Sequence, residues 1–89
     1  MKVLLFTSVN CKPCSVLKPI LGSVCDEMSI PLDYLWKEND KDNMFGRYNV
    51  MSVPTIMITK DNNPYTTYVG LMSRAELVSK LTQLKEKLA

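Results

Sequence analysis

Two thiols three residues apart, in Cys11-Lys12-Pro13-Cys14, are where chemistry can start in this sequence. A thiolate attacks a disulfide sulfur to give a mixed disulfide, and a second thiol one helical turn away can displace it. Such a pair opens a target disulfide while closing its own. Whether the first sulfur is a thiolate depends on its position. At a helix N-terminus it faces unpaired backbone amides and the positive end of the helix dipole, and both favour the charged form. The spacing puts Cys11 there, so Cys11 is expected to be exposed, acidic and attacking. Lys12 adds a nearby cation, and Pro13 falls in a first turn where its missing amide costs nothing. Cys14, one turn on, is expected to be the shielded resolving thiol.

Other readings of the pair are available. Half a zinc site would need four ligands, and without histidine only Cys25 with Asp26 or Glu27 could complete it; no metal is expected. Inert core thiols are the blander alternative, and the strand-to-helix setting argues against it. Cys25, beside Leu21 and Val24 on the apolar side of the same helix, reads as a core residue.

The flanking elements follow from periodicity. Lys2–Thr7 is an apolar run suited to a strand covered on both faces. From near Cys11, Val16, Leu17, Ile20, Leu21, Val24 and Met28 recur at helical spacing, and Pro19 should kink that helix without ending it. Leu32–Lys37 reads as a second strand. Asn39 or Asp40 can cap a short helix carrying Met44, Phe45 and Tyr48, which Asn49 closes in a left-handed conformation. Val53–Thr59 and Tyr65–Val69, joined by a turn cluster at Asp61–Pro64, make an antiparallel hairpin. Ser73 and Glu76 form a capping box for a last helix with Leu77, Val78, Leu81, Leu84 and Leu88 toward the sheet. The order is β-α-β-α-β-β-α, an α/β chain. Pro54 at the mouth of its strand marks an edge, a bulge, a cis bond or an ordinary strand start.

Composition removes several function classes. The absence of histidine excludes Ser-His-Asp and Cys-His catalysis. Eleven Lys and Arg against nine Asp and Glu, interleaved along the chain, make no concentrated basic face for nucleic acid. No run approaches the roughly 20 apolar residues of a membrane span. Met1–Phe6 briefly imitates a signal peptide but breaks at Thr7-Ser8 with no cleavage site. Three cysteines cannot form a disulfide framework. The expectation is a cytoplasmic monomer, a single domain over residues 1–89, needing no cofactor.

The segment Phe6–Leu21, with Cys11, Cys14 and a proline five residues after the second cysteine, resembles the active-site segment of the thioredoxin family. Tyr48–Thr55 is similar to that family's segment ending in a cis-proline, and Val69–Ser73 to its glycine turn before the last helix. The resemblance implies the minimal thioredoxin fold, a central mixed four-stranded sheet flanked by three helices, and a thiol-disulfide oxidoreductase reducing protein disulfides through Cys11 and Cys14. It also implies that Pro54 is cis and that Val53, Pro54, Gly70 and Leu71, with Asn10, Lys12 and Pro13, form a landing surface for disulfide-containing client proteins. Ribonucleotide reductase is a familiar client of such proteins, and thioredoxin reductase or glutathione would be the electron donor.

The departures bear on the donor and on proton transfer. Asn10 stands where thioredoxins usually carry tryptophan, and Leu5 where they often place a buried acid that helps deprotonate the second cysteine. The size of the chain matches both the glutaredoxins, which use glutathione, and the short glutaredoxin-like thioredoxins. Lys12-Pro13 is closer to the thioredoxin Gly-Pro than to the glutaredoxin Pro-Tyr, and the second glycine of the glutathione signature is Leu71. Lys12 and Arg74 could still attract a glutathione carboxylate. A third reading, a binding module with dispensable cysteines, has no sequence feature in its favour.

Overall fold

Lys2–Thr7 forms strand β1, and Val3 to Thr7 are all buried, as expected of an apolar strand covered on both faces. It is the first element of a computed structural model that describes residues 1–88. Helix α1 spans Lys12–Glu27, β2 Leu32–Trp36, α2 Met44–Arg47, β3 Thr55–Lys60, β4 Asn63–Val69 and α3 Arg74–Leu88, with a 3-10 turn at Lys37–Asn39. The strands lie in the order β2-β1-β3-β4. β1 and β2, joined through α1, are parallel, whereas β3 is antiparallel to both β1 and β4, so the sheet is mixed as expected.

Side-chain alternation divides the interior in two. Val3 and Leu5 of β1, with Ile56 and Ile58 of β3, face Leu17, Leu21 and Val24 of α1 and Leu77, Leu81 and Leu84 of α3. Leu4, Phe6 and Met57 face the opposite side, where Phe45 and Tyr48 pack around α2. Phe6 meets Phe45 edge to face, ring centroids 4.9 Å apart. Because β1 and β3 are central and covered on both sides, neither shows a polar alternation in its sequence.

Local signals set the boundaries. Asp61 and Asn62 both adopt positive φ, 53° and 65°, the conformation of a tight two-residue hairpin turn that Asn and Asp tolerate. Asn49 has φ 56° after α2, as its position suggests. The cap of α2 differs from expectation: Asn43, left-handed at φ 52°, occupies the N-cap position without a side-chain bond, while the Asp40 carboxylate accepts from the Met44 and Phe45 amides at 2.8 and 3.0 Å. The buried stripes of α1 and α3 are narrower than the apolar period suggests. Val16 is 50% and Val78 38% exposed, because each lies at the rim of its helix face.

The capping box of α3 forms. Glu76 N–H donates to Ser73 Oγ at 3.2 Å, and Ser73 N–H to Glu76 Oε1 at 3.5 Å. Ser73→Ala is expected to cost about 1 kcal/mol in urea unfolding with disulfide exchange unchanged. An unaltered midpoint would mean that solvent serves the α3 amides equally well.

Candidate active site

The end of β1 delivers the reactive segment. Thr7 pairs with Trp36 at the end of β2, and the chain then runs through Ser8-Val9-Asn10 into α1. Cys11 is the N-cap of α1 in an extended conformation (φ −118°, ψ 107°), and its Sγ accepts the Cys14 N–H at 3.2 Å. The sulfur thus takes the place of the oxygen of an ordinary capping side chain. Pro13 lies in the first turn, where no intrahelical bond asks for its amide. Lys12 and Pro13 are exposed, and Lys12 makes no ion pair among the described residues.

Cys11 and Cys14 are joined as a disulfide, Cα atoms 5.2 Å apart. Their environments differ as the spacing requires: Cys11 is half-buried, whereas Cys14 is 2% exposed. A reagent can reach the first sulfur more readily than the second. Cys25 is buried in the α1 face, and burial pushes its thiol up to about 11, so it stays protonated and inert at neutral pH. The neighbouring Asp26 and Glu27 side chains are exposed and do not converge with it into a metal-ligand set.

A second segment comes up beside the pair. The antiparallel register Phe6↔Thr55 carries on to set Pro54 abreast of Thr7, and the Val53–Pro54 peptide is cis. Pro54 therefore neither sits on an edge strand nor begins one: it precedes β3, a central strand. Thr55 pairs with Val69, and the Gly70 N–H donates to the Pro54 carbonyl at 2.9 Å, fastening a third segment to the second. Gly70 takes φ 97°, a conformation that side chains resist. Leu71 follows, 53% exposed. The N–H and C=O of Val53 have no backbone partner among the described residues.

Three residues around the pair were not singled out by the sequence. Glu38, in the 3-10 turn, accepts from Ser8 Oγ and from the Val9 N–H, the latter at 3.2 Å, and so ties down the loop before Cys11. The Ser8 hydrogen bond holds the Glu38 carboxyl below its usual range. Trp36 and Lys18, with Thr7, Ser8, Cys14 and Ser15, line a cleft of about 170 Å³ on the flank away from Pro54. Trp36 had a usable signal, since groups at the C-terminal ends of adjacent parallel strands gather where ligands bind. The Glu38 contact spans some thirty residues and left none.

The glutathione features fade further. Arg74 is engaged by Glu27 and donates to Ser23 Oγ at 3.1 Å, locking the start of α3 to α1 instead of offering a free guanidinium.

Comparison with known proteins agrees with this geometry. The thioredoxin family model matches residues 1–83. Thioredoxin of Bacillus subtilis (strain 168) is 34% identical over 74 residues, covering 79% of this chain and 71% of the relative. Thioredoxin of Staphylococcus epidermidis RP62A is 28% identical over 81 residues, covering 90% and 78%. The structure of thioredoxin 1 from the thermophilic eubacterium Thermosipho africanus TCF52B superposes with a TM-score of 0.84 at 17% identity, over 97% of this chain and 96% of that one, a likeness of fold. With the sequence match over most of its length and a bonded Cys-x-x-Cys at a helix start, the chain belongs to the thioredoxin family, the thiol-disulfide oxidoreductases that work by a dithiol-disulfide cycle.

Proposed function

We propose that this protein reduces client disulfides with Cys11 as the attacking and Cys14 as the resolving thiol, and that thioredoxin reductase renews its dithiol. The observation that carries the reading is the contrast within the bonded pair: a half-buried sulfur at the N-cap of α1 beside one that is 2% exposed. In the reduced protein the Cys14 amide and the α1 dipole favour thiolate at Cys11, with Lys12 adding positive field and Pro13 stiffening the first turn. That thiolate attacks one client sulfur, the client disulfide breaks, and its other sulfur leaves and takes a proton. Cys14 then attacks Cys11 Sγ; the second client thiol departs, and two electrons have passed to the client.

Client binding falls to Val53, Pro54, Gly70 and Leu71. The unpartnered backbone of Val53 suits pairing with an extended segment, and exposed Leu71 and Val9 supply apolar contact on either side. Clients are proteins with accessible disulfides; ribonucleotide reductase is one to test. Residues 1–89 act as one domain, a monomer in the cytoplasm, a setting supported by cysteines that make one Cys-x-x-Cys pair and no framework of structural disulfides.

The donor is tested by incubating oxidised protein with NADPH and thioredoxin reductase, or with glutathione, glutathione reductase and NADPH. Rapid NADPH consumption with the first and little with the second is expected. Preference for glutathione would overturn the assignment of the donor.

A further inference from the structure

Cys14 is buried from the client side, yet it is not sealed: it lines the cleft that opens between α1 and the end of β2. Thr7 and Ser15 bring hydroxyls to that cleft, and Trp36 forms its far wall. Lys18 follows Cys14 by four residues, so the two side chains share one face of α1 a single turn apart. Lys18 Nζ lies 4.4 Å from the centroid of the Trp36 ring, whose face attracts a cation and keeps the ammonium over the cleft. Leu5 of β1 and Leu17 of α1 are fully buried in the apolar layer between α1 and the sheet. To resolve a mixed disulfide, a thiol at that depth needs an exit for its proton and a countercharge for the thiolate.

We propose that the Lys18–Trp36 cleft activates Cys14: water in the cleft takes the thiol proton, and the Lys18 ammonium, steadied on the Trp36 face, stabilises the thiolate left behind. This rests on the reading that Cys14 resolves a mixed disulfide made at Cys11. In the step concerned, Cys14–SH gives its proton to solvent and the Cys14 thiolate attacks Cys11 Sγ. The bond between Cys11 and the client sulfur breaks, the client thiolate leaves and is protonated by solvent, and the Cys11–Cys14 disulfide is formed. Lys18 thereby supplies a countercharge from the solvent side, where Leu5, a hydrocarbon six residues before Cys11, supplies none.

The charged groups around Cys14 are few. From α1 come Lys12, at the exposed first turn, and Lys18; Cys11 is itself in the mixed disulfide during this step. Glu38 has its carboxylate held by Ser8 and Val9, which themselves line the cleft. The ends of β1 and β2 present Thr7 and Trp36, and the Val53–Pro54 segment is uncharged. Lys18 is thus the cation that can be removed without disturbing the loop or the α1 cap.

Stopped-flow reaction of the reduced protein with 4,4′-dithiodipyridine, an uncharged chromogenic disulfide, separates the two steps. The first thiopyridone released reports attack by Cys11 and the second reports resolution by Cys14. With Lys18→Met the second phase is expected to slow about three- to tenfold at pH 7 and its pH midpoint to rise, as for loss of one nearby cation in a partly screened site. The first phase should keep its rate and midpoint, and Lys18→Arg should restore the second. A second-phase midpoint equal to the parent's, or an equal displacement of both phases, overturns the proposal. Release of a single thiopyridone by the parent protein would instead overturn the two-cysteine reading on which the proposal rests.

Discussion

Cys11→Ser is expected to abolish disulfide reduction, and Cys14→Ser to arrest it halfway. A serine hydroxyl stays protonated at neutral pH and cannot form a redox-active sulfur bond. Turnover in an insulin reduction assay with a dithiol donor should therefore fall on the order of a thousandfold or more, to background. Cys14→Ser keeps the attacking thiol at the N-cap but loses the group that releases the client, so a covalent adduct through Cys11 should accumulate on non-reducing gels. Full dithiol turnover by Cys14→Ser would overturn the order of events. Retention of the biological role by the double serine variant would favour a purely binding function.

The second large effect concerns stability. Phe6 is fully buried in the smaller of the two apolar layers, edge-on to Phe45 and 6.4 Å from the Tyr48 ring centroid. Phe6→Ala removes the largest of the three sheet side chains, with Leu4 and Met57, that pack under α2, and leaves a cavity there. The expected loss is about 3 to 5 kcal/mol. Against the roughly 4 to 13 kcal/mol of a chain this size, that is between about a quarter and all of the folding free energy. Urea unfolding followed by far-UV circular dichroism measures it. A loss under about 1 kcal/mol would show that α2 contributes little to the folded state.

Legibility in the sequence followed the range of the interaction. β1, the Ser73–Glu76 box, the left-handed Asn49 and the Asp61–Asn62 turn were readable because each depends on a few neighbouring residues. The strand-to-helix setting of Cys11 and Cys14 was readable for the same reason. Helix faces were less so: Val16 and Val78 satisfy the apolar period but lie where the stripe meets solvent, and periodicity does not mark its edge. The α2 cap was half legible, since Asp40 does receive amide hydrogens but across an intervening left-handed Asn43. For Pro54 the residues alone left several readings open, and family resemblance pointed to the cis form that is observed. The Glu38 tether and the pairing of Lys18 with Trp36 were not legible, because each joins elements that only the assembled sheet brings together.

The sulfur that exchanges electrons is also the atom that caps α1. Oxidation, reduction, folding and unfolding of this chain form a closed thermodynamic square, so the reduced and oxidised proteins differ in folding free energy by the amount that folding shifts the dithiol-disulfide equilibrium. A substitution anywhere in the first turn of α1 that improves the cap for a thiolate stabilises the reduced protein against denaturant and, by the same amount, makes it a weaker electron donor. Resistance to unfolding and reducing power therefore trade against each other at this one helix end.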